Sequence, residues 1–285
     1  MTGRVQDKVA FITGVARGQG RSHALRLAEE GADIIGVDVC EMIDTNSYPL
    51  ATDADLEETR QLVEKTGRRM VARKADVRDR AALKSALESG MKEFGHLDVV
   101  VANAGILPMG VDKGAQAFFD AVEVDFVGVI NAISVALAHL TSGASVIATG
   151  STAGLTPGQT DNPELGPGGA GYSYAKQQVL TFTRALALQV APMGIRVNAI
   201  HPSSVDTHLI RHEDIWRLFR PDLENPTMED AMPAFFGMQA MPVPWVETVD
   251  VSNMVLFLAS EESRYVTGMQ MRVDAGAMLK VPGVA

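Results

Sequence analysis

The stretch Val9-Ala10-Phe11-Ile12-Thr13-Gly14-Val15-Ala16-Arg17-Gly18-Gln19-Gly20 decides the fold of this chain. The apolar run Lys8–Thr13 predicts a buried strand, and the amphipathic run Gln19–Glu30 predicts a helix. Glycines between them let the backbone approach a pyrophosphate, and the helix start offers free N–H groups to its charge. The pattern predicts a dinucleotide site formed by Gly14, Arg17, Gly18, Gln19 and Gly20. The alternative is a glycine-rich connection that only turns tightly.

Short apolar runs alternate with Ala- and Leu-rich amphipathic stretches along the rest of the chain. Continuous hydrophobicity, as in Leu97–Ala102, is typical of a strand covered by helices on both faces. The alternation predicts an α/β fold, a doubly wound parallel sheet with helices on both faces. The other predicted strands are Asp33–Asp38, Met70–Lys74, Ser145–Thr149, Ile195–Ile200 and Gln270–Val273. The other predicted helices are Asp53–Thr66, Asp79–Phe94, Ala115–Leu140, Tyr172–Ala191 and Val249–Ala259.

Composition narrows the class of protein. The 285 residues include 25 Lys and Arg against 35 Asp and Glu, a net charge of −10 that disfavours nucleic acids and anionic membranes as partners. A single cysteine, Cys40, excludes an intrachain disulfide and a cysteine-based zinc site. Val122–Leu140 is the most apolar long segment, but its charged residues indicate a buried helix and not a membrane span. With no export signal near the N-terminus, we expect a cytoplasmic protein.

Three irregular stretches, Val39–Thr52, Thr156–Ala170 and Ser203–Val246, are where we expect specificity to be set. The last of them is apolar and predicts a substrate lid over residues 203–246 that receives a hydrophobic alcohol or ketone; subunit-interface packing is the alternative. Its large apolar residues are Trp216, Phe219, Phe235, Phe236, Met238 and Met241. His208 and His212 have helical i, i+4 spacing, but without a matching Glu-x-x-His helix we predict two solvated histidines and no metal site.

Asp38 ends the second predicted strand, where a carboxylate can accept hydrogen bonds from the adenosine ribose hydroxyls. It would repel a 2′-phosphate, which favours NAD over NADP. Arg17 could favour the phosphate, but an arginine near the pyrophosphate serves either cofactor. The alternative for Asp38 is a turn residue that only ends the strand.

A second chemical signal is the spacing of Tyr172 and Lys176, preceded by Ser151 at the end of a strand. Four residues make about one helical turn, so the phenol and the ammonium share a face. A nearby ammonium favours phenolate and is expected to lower the phenol pKa from about 10 toward the working range. Such a tyrosine can exchange a proton with an alcohol. Tyr174 has no lysine one turn on and is predicted to pack.

Together these motifs resemble the short-chain dehydrogenase/reductase family over nearly the whole chain. The matches also include Asp76-Val77, Asn103-Ala104-Gly105, Pro202 with Thr207, Val266-Thr267-Gly268 and Val273-Asp274-Ala275-Gly276. The resemblance implies one Rossmann domain over residues 1–285 with strand order 3-2-1-4-5-6-7, and homotetramers.

The resemblance also implies how NAD is bound. Asp76 would meet the adenine amino group, Val77 would pack on adenine, and Asn103, Ala104 and Gly105 would lie beside the adenosine half. Thr207 would lie near the nicotinamide amide. Further implied contacts are Val39, Lys176, Pro202 and Val205.

A narrower resemblance points to the carveol dehydrogenases and related mycofactocin-coupled enzymes. It rests on Arg17-Gly18-Gln19-Gly20-Arg21-Ser22-His23-Ala24, the extended segment after Asp38, and Pro242-Val243-Pro244-Trp245-Val246-Glu247. In that subfamily NAD is not exchanged between turnovers, and electrons leave to mycofactocin. The resemblance implies that Val39–Thr52 covers the adenosine end; the alternative is an ordinary surface loop.

The expected mechanism follows from these roles. Tyr172 would take the hydroxyl proton of a secondary alcohol while hydride passes to nicotinamide, Lys176 would hold the ribose, and Ser151 would fix the substrate oxygen. Asp125 departs from the family, which usually has an asparagine there that holds a water in the proton path, and Asn131 lies on another helix face. An ordinary reductase with exchangeable cofactor and a non-catalytic NAD sensor remain alternatives.

Overall fold

A seven-stranded parallel sheet forms the centre of this computed structural model, which describes residues 3–158, 160 and 162–281. The strand order is β3-β2-β1-β4-β5-β6-β7, so the predicted Rossmann-type fold is confirmed. The strands are β1 Val9–Thr13, β2 Asp33–Asp38, β3 Met70–Lys74, β4 Leu97–Ala102, β5 Leu140–Thr149, β6 Arg196–Pro202 and β7 Gln270–Val273.

The strand order reverses at β1, which pairs with β2 on one side and β4 on the other. Ligands of such sheets bind beyond the carboxyl ends of the strands at this reversal. The helices are α1 Gly18–Glu29, α2 Asp53–Lys65, α3 Arg80–Phe94, α4 Gln116–Val122, α5 Gly128–Leu137, α6 Gly166–Val190, α7 Glu213–Phe219, α8 Met228–Met238 and α9 Thr248–Ala259.

Both faces of the sheet are buried, because alternate strand residues enter two separate apolar cores. Phe11 and Val100 face the core that contains α3 and α5, whereas Ile12 and Val101 face the core that contains α1 and α9. Burial on both faces explains why these strands are continuously apolar in sequence.

The predicted helix Ala115–Leu140 is wrong as a single helix. It consists of α4, a π-helical turn at Glu123–Val127 and α5, and Leu140 already begins β5. The π turn carries Asp125 and buries it completely. π turns inside helices often occur at functional sites.

The long helix α6 begins at Gly166, six residues before the predicted start at Tyr172. Its first turns are rich in glycine, which disfavours helix in isolation. Packing requires those glycines: a Cβ on Gly168 would lie 1.8 Å from the Pro108 carbonyl oxygen. Positions 159 and 161 of the predicted irregular stretch Thr156–Ala170, like the chain ends at 1–2 and 282–285, lie outside the described residues.

The segment 203–246 contains α7 and α8, neither of which the sequence pattern predicted. Its two ends are joined, since Val205 and Val246 form a bridge between extended segments. Phe235 is buried, and Trp216 and Phe219 pack in the same cluster as the Tyr172 ring. The remaining three predicted lid residues, Phe236, Met238 and Met241, are exposed on the outer surface.

The prediction of two solvated histidines is wrong for His212. Its ring is buried against the ring of Tyr48, with centroids 4.8 Å apart, whereas His208 is exposed. Neither lies on a helix with the other, because His212 directly precedes the first residue of α7. Within the described residues, no cluster of three or more metal-binding side chains is present. No helix in the described part of the chain is long and apolar enough to cross a membrane.

Candidate active site

One cavity lies at the carboxyl edge of the sheet, where β1, β2, β4, β5 and β6 end. Its empty space is about 1230 Å³ including the open mouth. Every predicted site residue lines it: Gly14, Arg17, Gly18, Gln19, Gly20, Asp38, Val39, Asp76, Val77, Asn103, Ala104, Gly105, Asp125, Ser151, Tyr172, Lys176, Pro202, Val205 and Thr207. The fold therefore brings together residues that are up to 193 positions apart, from Gly14 to Thr207.

The glycine turn fits a pyrophosphate. Gly14 and Gly18 have positive φ angles of 67° and 56°, and a Cβ on Gly14 would lie 2.8 Å from the Ala104 backbone. Arg17 precedes α1 without capping it through its side chain, and the first turn contains no acidic residue. The N–H groups and the positive end of the helix dipole are therefore available to phosphate oxygens.

Asp38 is held at the end of β2 by backbone hydrogen bonds. The N–H of Ala16 donates to one carboxylate oxygen at 2.9 Å, and the N–H of Cys40 donates to the other at 3.4 Å. Burial raises the pKa of Asp38, and these N–H groups and the Arg17 charge oppose the rise. A carboxylate has further lone pairs for two ribose hydroxyls. Arg17 itself donates to the Pro49 carbonyl, which engages one of its donors away from a 2′-phosphate.

Residues predicted to meet the adenosine half of the cofactor are fixed by their neighbours. The Asp76 carboxylate pairs with Arg78 at 2.7 Å, which fixes its position. Val77 leaves no space for a side chain at Gly128, where a Cβ would lie 2.6 Å from its methyl group. Asn103 is oriented by β1, because its side-chain amide donates to the Thr13 carbonyl at 3.1 Å.

The catalytic candidates meet in the same cavity. Lys176 lies on α6 one turn after Tyr172, with its ammonium 5.4 Å from the centre of the phenol ring. The ammonium donates to the Thr149 carbonyl at 3.0 Å and lies 3.0 Å from a carboxylate oxygen of Asp125. The Ser151 hydroxyl is close enough to lower the pKa of Tyr172 through a hydrogen bond.

The phenol is less acidic than the sequence predicts. Burial raises the pKa of Tyr172; the Lys176 ammonium opposes the rise, but the Asp125 carboxylate adds to it. The pKa of Lys176 is raised although burial lowers it, because Asp125 and Tyr172 favour its charge. The expectation of a lowered pKa is therefore wrong for this structure, because burial of the phenol outweighs the Lys176 charge and the Asp125 carboxylate adds to the rise.

Asp125 is built into the site by its neighbours. The Ile106 N–H donates to the carboxylate at 3.2 Å. A Cβ on Gly105 would lie 2.5 Å from the other carboxylate oxygen, so only glycine leaves room for the ion pair. Asn131 donates to the Val77 carbonyl at 3.0 Å instead, which agrees with the expectation that it does not replace the usual asparagine.

The strap, defined here as residues Val39–Thr52, extends along the cavity and is attached at several points. The Thr45 hydroxyl donates to the Asp120 carboxylate at 2.6 Å, and the Leu107 N–H donates to the Tyr48 hydroxyl at 3.2 Å. Tyr48 is buried and lines the cavity. The strap therefore packs as part of the site.

Several lining residues were not predicted as site residues: Ile43, Tyr48, Leu50 and Ala51 of the strap, and Ile106, Leu209 and Ile210 elsewhere. Most are apolar, and apolar residues carry no motif by themselves. The tyrosine in a polar segment was the one usable signal, because an aromatic ring in a loop usually packs against something.

Comparisons with known proteins agree with this arrangement. A family model described as enoyl-(acyl carrier protein) reductase matches residues 14–278. A Mycolicibacterium smegmatis protein named as a short-chain type dehydrogenase/reductase is 50% identical over 287 residues, covering 98% of this chain and 100% of that protein. A (-)-trans-carveol dehydrogenase of Rhodococcus erythropolis is 44% identical over 283 residues, covering 97% of this chain and 99% of that enzyme.

The crystal structure of a carveol dehydrogenase from Mycobacterium avium in complex with NAD has a TM-score of 0.91 and 46% identity, covering 98% of this chain and 100% of that one. The chain belongs to the short-chain dehydrogenase/reductase family. Within that family it is similar to carveol dehydrogenases, so the resemblance seen in the sequence is confirmed.

Proposed function

We propose that this protein, an NAD-dependent oxidoreductase of the family, interconverts a hydrophobic secondary alcohol and its ketone, of terpenoid or alicyclic type. The observation that carries the proposal is the convergence of Ser151, Tyr172 and Lys176 in one cavity. Ile106, Leu209 and Ile210 supply apolar lining in that cavity, which favours a hydrocarbon skeleton over a sugar. The relatives named carveol dehydrogenase support the same substrate class.

The proton is handled by this chain's own residues. Tyr172 takes the hydroxyl proton when the alcohol is oxidised and returns it when the ketone is reduced. Ser151 donates a hydrogen bond to the substrate oxygen and fixes its position. Lys176 stabilises the phenolate and would also hold the nicotinamide ribose. NAD held by this site would supply the redox chemistry, as hydride acceptor in its oxidised form and hydride donor in its reduced form.

The cofactor would be NAD, held by the glycine turn, Asp38 and the Asn103–Gly105 loop. The uncapped start of α1 suits the pyrophosphate, and the Asp38 carboxylate disfavours a 2′-phosphate. Asp76, Val77, Val39, Pro202, Val205 and Thr207 complete the proposed binding set.

We further propose that NAD stays bound between turnovers and is recycled by mycofactocin. The attachments of the strap support this, because the hydrogen bonds from Thr45 to Asp120 and from Leu107 to Tyr48 hold the strap against the cavity that NAD would occupy. A cytoplasmic location and a single domain over 1–285 with a lid at 203–246 belong to the same proposal. So does a homotetramer, which would cover exposed apolar residues such as Phe119 and Leu188.

The test begins with purified protein that is dialysed, denatured and assayed for released NAD. We expect about one NAD per chain, and activity on secondary alcohols with an artificial electron acceptor that exceeds activity with added NAD. Tyr48→Phe should speed NAD loss, whereas Tyr265→Phe, a matched change at an exposed tyrosine, should not. NAD that dialyses away, with full activity on external NAD, would establish an ordinary exchangeable cofactor. An absence of turnover with any secondary alcohol would contradict the proposed reaction itself.

A further inference from the structure

His201 on β6 lies directly beneath the segment that carries Ser151. The imidazole is fully buried, and a Cβ on Gly150 would come within 2.4 Å of its ring. Its Nδ1 lies 3.2 Å from the Ser151 amide nitrogen and 3.1 Å from the Ser151 carbonyl oxygen. Nδ1 can serve only one of these groups well: it accepts from the N–H when unprotonated and donates to the carbonyl when protonated.

A series of hydrogen bonds on the other side of the ring determines whether Nδ1 accepts from the N–H or donates to the carbonyl. The Thr183 hydroxyl donates to the Val179 carbonyl at 2.8 Å, so its oxygen is left to accept from the Gln270 amide at 3.1 Å. Gln270 then presents its carbonyl oxygen to His201 Nε2, 2.7 Å away. A carbonyl oxygen can only accept, so the hydrogen of His201 lies on Nε2.

The charge state agrees with this tautomer. Burial lowers the pKa of His201 although Gln270 and Ser151 favour protonation. The cationic groups of α6 that act on the ring, Lys176 and Arg184, lower it further. Arg272 of β7 is the register partner of His201. A neutral ring with hydrogen on Nε2 leaves Nδ1 free to accept from the Ser151 N–H.

We propose that His201 is a positioning residue that holds the Ser151 peptide in place for the reaction. The series of hydrogen bonds that begins at Ser151 and passes through His201 and Gln270 ends at Thr183 on α6. Thr183 follows Tyr172 by eleven residues, about three helical turns, so both lie on one face of that helix. These hydrogen bonds thus connect the serine at the end of β5 to the helix that carries the phenol. This inference rests on the proposed role of Ser151.

The tautomer is tested first, independently of activity, by NMR of isotope-labelled histidine nitrogens, with His201→Asn used to assign the signal. A neutral ring protonated at Nε2 supports the proposal, and one protonated at Nδ1 overturns it. Ser151→Ala separates the two claims: if turnover survives, the proposed role of Ser151 fails while the histidine result stands.

Kinetics test the positioning role. An asparagine side chain can place its oxygen near the position of the imidazole Nδ1 and still accept from the Ser151 N–H. The kcat of His201→Asn should therefore stay within about a few-fold of that of the unchanged protein. His201→Leu should lower kcat by roughly 10- to 100-fold with little change in KM or NAD content, as expected for a displaced catalytic group. An unchanged kcat in His201→Leu would overturn the proposal.

A second variant tests the role of His201 in case His201→Leu does not fold. Gln270→Glu places a carboxylate beside Nε2 and favours the imidazolium, whose Nδ1–H would turn from the Ser151 N–H to its carbonyl. The acidic limb of the kcat profile should move to higher pH. A profile identical to that of the unchanged protein would count against the role of His201.

Discussion

Replacing Asp125 with asparagine removes a negative charge from the phenol's surroundings while keeping the shape of the side chain. An asparagine oxygen can still accept from the Ile106 N–H, which now bonds the carboxylate at 3.2 Å. The Lys176 ammonium would keep the Thr149 carbonyl but lose its carboxylate partner at 3.0 Å, so no anion would offset its effect on the phenol. Because Asp125 raises the pKa of Tyr172 and Lys176 lowers it, the change should make the phenol more acidic.

The size of the effect follows from two contacts through the lysine. Its ammonium is 3.0 Å from the Asp125 oxygen and 5.4 Å from the Tyr172 ring centre. The Asp125 oxygen is therefore at most about 8.4 Å from the ring centre, and at an effective dielectric constant of about 20 a unit charge at that distance raises the energy of a negative charge on the ring by roughly 2 kcal/mol. That energy corresponds to roughly thirtyfold in the phenolate fraction. Losing Asp125 also removes a charge that raises the pKa of Lys176, so we expect the phenolate fraction to increase by about tenfold instead.

The assay is kcat/KM for alcohol oxidation against pH, with an artificial acceptor recycling bound NAD. The rising limb should move to lower pH in Asp125→Asn, and turnover near neutral pH should increase. Glu123→Gln is the matched control, since it removes the same charge from the same π turn at an exposed position and should leave the profile in place. If the rising limb of the kcat/KM profile of Asp125→Asn is unchanged or moves to higher pH, the electrostatic reasoning is refuted.

Three further outcomes are expected. Tyr172→Phe should abolish turnover while NAD content stays unchanged, and a turnover assay with NAD quantification checks both; an active variant removes the catalytic assignment. Gly105→Ala should lower kcat by roughly tenfold, because its Cβ would lie 2.5 Å from an Asp125 oxygen, and Gly114→Ala, where nothing lies within 4 Å, controls for glycine loss in kinetic assays. Burial lowers the pKa of His23 from 6.5 to about 3. Between these two pKa values only the unfolded chain binds the proton of His23. The free energy of unfolding should therefore decrease as the pH is lowered from 6.5 towards about 3, by up to about 1.4 kcal/mol per pH unit. Urea unfolding at pH 7 and pH 5 should show a smaller loss for His23→Asn, and an equal loss would argue against a neutral buried ring.

Five of the seven predicted strands match the structure within one residue at both ends. The central strands β1, β2 and β4 are almost fully buried and largely apolar, as a strand covered on both faces should be. The edge strands β3 and β7 are partly exposed and carry charged residues. The helices of the lid had weaker signals. α8 contains Pro233, which argues against a helix, although Thr227 and Asp230 form a capping box that could have marked its start.

The start of α6 shows why propensity failed where packing decides. Six residues from Gly166 to Gly171 include four glycines, a composition typical of a loop. Close contact with neighbouring backbone demands them: a Cβ on Gly171 would lie 2.5 Å from the Phe118 carbonyl oxygen. Such a contact depends on two distant parts of the chain, so local sequence could not predict it.

The fold brings the predicted site residues together in one cavity, but their electrostatic balance could not be predicted from sequence. The spacing of Tyr172 and Lys176 correctly indicated a phenol near an ammonium, and it suggested an acidic phenol. Burial of the phenol reverses that expectation, and Asp125, from a π turn some fifty residues earlier, adds to the rise by pairing with the lysine. A phenol that stays protonated near neutral pH is ready to give its proton to a ketone, whereas oxidation needs the phenolate. The carboxylate should therefore favour ketone reduction near neutral pH and move efficient alcohol oxidation to alkaline pH. The pH profiles of kcat for oxidation and for reduction, measured in Asp125→Asn and the unchanged enzyme, decide whether this one residue sets the pH range in which each direction is fast.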